Sequence, residues 1–231
     1  MSLSLTRRPQ ARQGRRARRC QALPAWQSAT LEDHDSLKVG AVAGGTAYLA
    51  IFGGCAVPRQ LGSRSTYGLG AFGGFRGRKL AAGDVLPVGP TPGDSCSGKV
   101  LPAAHHCKFS KEVTVRAVAG LYFHRLTDES GRHFFDDLWS VATEADRIGY
   151  RFRHGRALQF KPREQPFGAG SDPSNIVDAG YPIGSIQVPG GLEPIVLHRD
   201  AVSGGGYAMI GTVISADMDI VAQLQPNDKA R

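Results

Sequence analysis

A mostly β fold with two short helices is predicted by three features of the sequence. Glycine supplies thirty of the 231 residues, roughly twice the usual ~7%, and it is scattered rather than periodic. Apolar or alternating segments are short and bounded by glycines, as strands between tight turns are. Only two stretches carry helix-start signals. Many short strands, frequent glycine turns and two brief helices point to a barrel or a sandwich.

Taken in order, Leu37–Val39 and Thr46–Phe52 (TAYLAIF) read as strands, the second between the glycine pairs at 44–45 and 53–54. Residues 78–89 place an Ala-Gly-Asp turn between two extended pieces. A Pro/Gly/Ser-rich loop follows, and a subdomain boundary is expected within 90–110. EVTVRAV, residues 112–118, alternates cleanly, with Val113 and Val115 on one face and Thr114 and Arg116 on the other. Thr127 is placed to cap a helix running to about Trp139, with Asp128 and Glu129 at its positive dipole end. Phe134, Phe135 and Leu138 form its apolar stripe. A strand over 207–214 leads to a second helix from a Ser215 cap, burying Met218, Val221 and Leu224 and stopped by Pro226.

The net charge of +8 invites a nucleic-acid reading until it is located. Residues 1–20 hold seven arginines and no acid, which leaves +1 for the remainder. A disordered Arg-rich tail is expected over 1–22, because almost nothing there is apolar enough to bury. It reads as a transit peptide, as a phosphate-binding arm, or as a solvated extension or misassigned start. Without aromatic stacking residues or an amphipathic pattern, nucleic acid is not an expected partner. The four cysteines form no CxxC pair, and no 18-residue apolar run is present, so a reducing cytoplasm and no membrane are expected.

Several near-motifs fail on context. Gly68, Gly70 and Gly73 satisfy GxGxxG but follow no strand and open no helix. GDSCSGKV at 93–100 resembles a phosphate-binding loop, yet Val100 stands where a magnesium-binding hydroxyl is needed. His105, His106 and Cys107 with Cys96 match no ligand spacing, so no metal site is expected in this chain. More informative is LGSRST, where Arg64 between Ser63 and Ser65 suits bidentate capture of a carboxylate or phosphate. Equally, Arg64 pairs with a carboxylate across a turn. Asp146 and Arg147 precede an apolar strand, and Gln187 lies amid apolar residues. A strand ends at Asp200, followed by Gly204, Gly205, Gly206 and Tyr207. A glycine run lets a ligand approach the backbone, whose amides suit an oxyanion. Asp200 suits a base or an orienting group, or equally the cap of an Asx turn.

Six ordered blocks carry a family resemblance. They are YLAIFGGCAVPRQLGSRSTY, GAFGGFRGRKLAAGD, EADRIGYRF, GSIQVPGGLEPIVL, GGGYAMIGTVISADM and AQLQPND. The chain resembles the carboxyltransferase-domain family, also called allophanate hydrolase subunit 2-like. That family includes the C subunit of 5-oxoprolinase and the carboxyltransferase part of urea carboxylase. The resemblance implies a domain over 23–231 built from cyclophilin-like β-barrel subdomains. It implies a subunit of an ATP-dependent amide or lactam hydrolase that converts 5-oxoproline to glutamate. Its expected partners are a sister-fold protein (allophanate hydrolase subunit 1-like) and the metal-dependent A subunit of 5-oxoprolinase.

ATP is then used by the complex, and any biotin sits on a partner rather than on this chain. The alternatives are a biotin-dependent carboxyltransferase for urea or another small amide, and a non-catalytic regulatory subunit that binds a sister-fold partner. Carried over by position, the substrate-binding candidates are Ser63, Arg64, Ser65, Asp146, Gln187, Gly204, Gly205, Gly206 and Tyr207, and Arg147 is carried over as a catalytic candidate; Asp200, from its own place at the strand end, is the other catalytic candidate. Relative to family members, an N-terminally truncated chain is expected, with strands lacking at both ends and exposed sheet edges in consequence.

Overall fold

The computed structural model describes residues 3–7, 19–42, 45–91, 93, 97–106 and 108–231. Clustering of contacts divides the chain into two compact units, one of residues 1–43 with 47–107 and one of 44–46 with 108–231.

The first unit is built mainly from turns. Its strands are β1 (Leu3–Arg7), β2 (Arg19–Leu23), β3 (Ser36–Val39), β4 (Thr66–Tyr67) and β5 (Phe72–Gly73). The first three form an antiparallel sheet in the order β2-β1-β3, and β4 and β5 form a hairpin. Strands at 3–7 and 19–23 replace the unstructured tail expected over 1–22. Their backbones are satisfied by pairing with each other and with β3, a partnership that composition does not report. The arginine-rich residues 8–18 lie outside the described residues.

A second correction falls at Thr46–Phe52, which is irregular rather than a strand. Its start is held by the second unit, where Gly45 N donates to Gln223 O (2.9 Å) and Thr46 Oγ1 donates to Ala222 O (3.3 Å). Residues 47–52 have no strand partner among the described residues, and Tyr48 is 85% exposed. The apolar pattern was present, but a strand requires a neighbour to take its hydrogen bonds. Among the described residues of this unit, Val57 is the only buried apolar side chain.

The second unit carries β6 (Glu112–Val113), β7 (Ala117–Ala119), α1 (Asp128–Asp136), β8 (Trp139–Ala145), β9 (Gly149–Arg153), β10 (Asn175–Gly180), β11 (Ser185–Gln187), β12 (Ile195–Leu197), β13 (Gly204–Tyr207), β14 (Met209–Val213), α2 (Met218–Val221) and β15 (Lys229–Ala230). Eight strands form one sheet in the order β6-β15-β8-β9-β12-β11-β14-β7. Its two terminal strands, β6 and β7, are consecutive pieces of the alternating 112–118 segment. The sheet therefore curls back on itself through residues 114–116, as a barrel does. Val115 N donates to Arg231 O (2.8 Å) and Ile214 N to Arg116 O (3.0 Å), which spans the seam from both sides. The last residues thus pair inside the sheet between β6 and β8, where an open edge was expected.

The helix caps follow partly from sequence. Thr127 Oγ1 accepts the Ser130 N–H at 3.2 Å and starts α1. The helix stops at Asp136 instead of reaching Trp139, which opens β8 and joins the core. Phe134 is buried but Phe135 is 42% exposed, so the predicted stripe is narrower than its spacing suggested. Ser215 begins a short 3₁₀ turn and makes no side-chain cap bond. Met218, Val221 and Leu224 are nonetheless buried in one cluster with Ile210, Val141 and Val188. Burial of each such side chain contributes about 1.5–3 kcal/mol. Among the described residues, no helix is long and apolar enough to cross a membrane.

Candidate functional site

Hairpin turns and strand ends position the candidate residues of the second unit. Between β8 and β9 the chain reverses at Asp146, whose Oδ1 accepts the N–H groups of Ile148 (2.8 Å) and Gly149 (3.2 Å). That is an Asx turn, and it presents the next side chain, Arg147, outward. Arg147 Nε and Nη2 donate to the two carboxylate oxygens of Asp200 at 2.7 and 3.0 Å. The backbone reinforces the pairing, since Asp200 N donates to Arg147 O at 2.8 Å. The Arg147 guanidinium holds the Asp200 carboxyl below its ordinary value. A carboxylate held this way is a weak base near neutral pH, so the geometry suits orientation of Arg147 better than proton abstraction.

His198 lies two residues before Asp200 and is 9% exposed. Its ring is 5.7 Å from that of Tyr150. Among the described residues its Nε2 has no hydrogen-bond partner. Burial, aided by the neighbouring charge of Arg199, pushes its pKa down.

The glycine run is not the open loop its composition suggests. Gly204–Tyr207 is β13, paired antiparallel with β10 across a bulge. The Tyr181 hydroxyl lies against it, 2.5 Å from the Gly205 carbonyl and 2.6 Å from that of Tyr207. Either carbonyl takes its single proton, and the hydroxyl accepts the Tyr207 N–H at 3.0 Å. A Cβ on Gly205 would stand 3.2 Å from the Tyr181 ring, so glycine there lets the ring pack against the strand. Gln187 of β11 is buried, 6% exposed, and its side chain lies near enough to the Tyr181 phenol to act on it. Burial pushes the Tyr181 phenol up, so it stays a neutral donor.

In the first unit Ser63 and Gln60 exchange backbone hydrogen bonds (2.8 and 3.0 Å), and Ser63 Oγ accepts the Ser65 N–H at 3.0 Å. Arg64 Nε donates to the Val57 carbonyl at 3.0 Å. Ser63, Arg64 and Ser65 are all exposed. The structure thus brings together Arg147 with Asp200, and Gln187 with β13 through Tyr181. Ser63, Arg64 and Ser65 form a separate turn in their own unit.

Sequence reasoning missed Tyr181 and His198. The partners of Tyr181 lie 24 and 26 residues onward, and nothing local marks it. His198 carried the weak signal of a histidine at the end of an apolar run; the strand expected to end at Asp200 stops at Leu197, and His198 opens the turn that follows.

The near-motifs resolve as structure. Gly68 and Gly70 form the β4–β5 turn. Residues 94–96 of the loop resembling a phosphate site lie outside the described residues. After it Val100 bridges to Gln27, and only a three-residue 3₁₀ turn follows, Ala103–His105. Among the described residues, no α-helix begins directly after this loop, as a phosphate-binding loop would require. Cys96 and Cys107 also lie outside the described residues. His106 stacks on Trp26 (5.2 Å) with Nε2 2.8 Å from the Leu101 carbonyl.

Residues 14–231 match the family described as carboxyltransferase domain, subdomain A and B. The chain is 36% identical over 211 residues to urea amidolyase of Lachancea kluyveri, covering 84% of this chain and 11% of that protein. It is 33% identical over 177 residues to the C subunit of Escherichia coli 5-oxoprolinase, covering 77% of this chain and 52% of that protein. The fold superposes on the crystal structure of the Kluyveromyces lactis urea carboxylase with a TM-score of 0.80 at 29% identity, over 100% of this chain and 20% of the other. The chain therefore spans between about a tenth and about half the length of these relatives. By its sequence over 14–231 and by its curled β-sheet, this chain belongs to the carboxyltransferase-domain family.

Proposed function

We propose that this chain is a subunit of an ATP-dependent hydrolase of the 5-oxoprolinase type, which adds water across the lactam C–N bond of 5-oxoproline to give glutamate. The supporting observation is its 33% identity to the C subunit of 5-oxoprolinase over half the length of that protein. In this reading it works in the cytoplasm with a sister-fold partner and a metal-dependent subunit. Arg147, oriented by Asp200, and the Gln187–Tyr181 node beside Gly204–Tyr207 are the groups proposed to face the polar end of the substrate. Ser63, Arg64 and Ser65, in the first unit, are proposed as carboxylate-binding groups in their own right. ATP is taken to be used by the complex, with the nucleotide assigned to another subunit.

A second reading, carboxyl transfer from a partner's biotin to a small amide, is favoured by the superposition on urea carboxylase over the whole chain. Co-expression with both prospective partners, followed by an assay of 5-oxoproline-dependent ATP hydrolysis, separates the two. Turnover that requires all three chains supports the hydrolase. A complex that shows none, yet carboxylates urea when given a biotin carrier, overturns it. A stable complex with neither activity leaves the regulatory role.

A further inference from the structure

Within the first unit a cleft of about 430 Å³ opens beside the hairpin of β4 and β5. Its walls are largely apolar, formed by Val57, Pro58, Phe72 and Pro87, and the loop Gly73–Gly77 closes one side. Polar groups are few. Gln60 is committed, its Oε1 accepting the Gly73 N–H at 3.0 Å. Just beyond the lining, Arg78 is neutralised, with Nη1 and Nη2 each 2.8 Å from a carboxylate oxygen of Asp84.

Arg76 differs from both. Among the described residues it makes no direct ion pair or side-chain hydrogen bond, and the Asp84 carboxylate, held by Arg78, acts on it only from a distance. Its guanidinium stands 5.1 Å over the Phe75 ring, which is itself part of the lining. Stacking of this kind steers the cation while leaving its N–H donors open. The N–H groups of Phe75 and Arg76 likewise bond no other described residue.

The backbone supplies an independent observation. Arg76 has φ +60°, in the left-handed region, while Gly73, Gly74 and Gly77 around it hold φ of +74°, +52° and +65°. At those three positions the loop uses the residue that tolerates the conformation freely. At position 76 it holds a strained arginine instead. A strained residue that places a charge on a cleft is a candidate for ligand binding.

We propose that this cleft binds a small monocarboxylate with a ring-sized apolar body, held through Arg76. One uncommitted guanidinium suits a single carboxylate, which it takes bidentately. A phosphate would call for more positive charge than the lining offers. The site goes beyond the assignment of Arg64, whose Nε is already spent on the Val57 carbonyl. It also stands apart from the hydrolase reading, because the ring of 5-oxoproline is a polar lactam and falls outside this ligand class.

The test is ligand-observed NMR or titration calorimetry on the full chain. The probes are cyclopentanecarboxylate, its neutral counterpart cyclopentylmethanol, and 5-oxoproline. Cyclopentanecarboxylate should bind, and the alcohol should bind about tenfold more weakly or worse, because it lacks the charged hydrogen bonds. Arg76→Gly should weaken carboxylate binding by a similar factor while folding normally, since glycine suits φ +60°. Arg76→Met keeps the bulk without the charge and should match it. Lys38→Ala, on β3, should bind as the parent protein does. Equal binding of acid and alcohol, unchanged binding in both Arg76 variants, or no binding of the acid at all overturns the proposal. Competition by 5-oxoproline as strong as self-competition by cyclopentanecarboxylate overturns the preference for an apolar ring, and weaker competition supports it.

Discussion

Gly120→Ala should pry β7 away from β14, beside the seam at which the sheet of the second unit curls back on itself. Gly120 follows β7, and its N–H donates to Ile210 O of β14 at 2.8 Å. A Cβ at this position would stand 2.6 Å from Met209 O, 2.7 Å from Gly211 N and 2.8 Å from Ile210 C. All three are backbone atoms, so no side-chain rotation relieves the clash. Reaching ordinary contact requires residues 119–121 to move about 0.7 Å from β14, the typical scale of strain in an overpacked core. The Gly120–Ile210 bond and the neighbouring bond from Tyr122 N to Met209 O (3.1 Å) are then stretched or lost, at about 1 kcal/mol each. Overpacking adds about 1–3 kcal/mol, for a total of about 3–5 kcal/mol. Urea unfolding followed by tryptophan fluorescence should show the midpoint fall by about 2 M, taking a slope of about 2 kcal/mol/M. Gly180→Ala is the control, because its Cβ would meet only Ser203 O at 3.8 Å, and it should change stability by less than about 0.5 kcal/mol. A Gly120→Ala protein that unfolds with its control would refute this close approach to β14.

Three further outcomes follow from the site. Tyr181→Phe should cost about 1–3 kcal/mol, because the carbonyls of Gly205 and Tyr207 lose their shared donor and the Tyr207 N–H its acceptor. Amides of β13 should then exchange faster while those of β14 stay protected; equal protection in both proteins would count against the node. Burial depresses His198, which faces Tyr150, Arg147, Arg199, Asp200 and the backbone of Met218. The unfolded chain therefore binds more protons below about pH 6.5, and stability should decline as pH falls from 7 toward 5. His198→Phe should flatten that slope, and an unchanged slope would assign it to another group. Asp217 is held below its ordinary value by Arg116, whose N, Nε and Nη2 donate to it at 2.8, 3.0 and 2.7 Å. Its contribution should be present above about pH 3.9 and lost on further acidification. Asp217→Asn should be less stable at neutral pH and show a shallower acid transition, and an identical acid limb would refute the pairing.

Legibility of the fold varied with the range of the interaction. The Thr127 cap, the start of α1 and the buried trio Met218, Val221 and Leu224 were readable because each depends on neighbours within one helical turn. The TAYLAIF segment was misread because an apolar run becomes a strand only when another strand accepts it. The run Gly204–Gly206 was misread in the opposite sense, since β10 and Tyr181 recruit it from some 25 residues away. At the candidate site, Asp146, Arg147 and Asp200 were named from the sequence as expectations, and the structure adds which of them touch. That Asp200 is spent on Arg147, 53 residues distant, was not legible there.

The sequence alone determined the β-rich class, the two helices, the concentration of charge near the N-terminus and, through six ordered blocks, the family. The first three are properties of composition, local periodicity and spacing, while the family rests on the resemblance carried by those blocks; all of them survive without knowing which segments meet. The tertiary structure alone decided that β6 and β7 close one sheet, that Arg147 is oriented by Asp200, and that Arg76 faces an apolar cleft with its donors open. Each of these depends on which distant groups saturate one another's hydrogen bonds and charge.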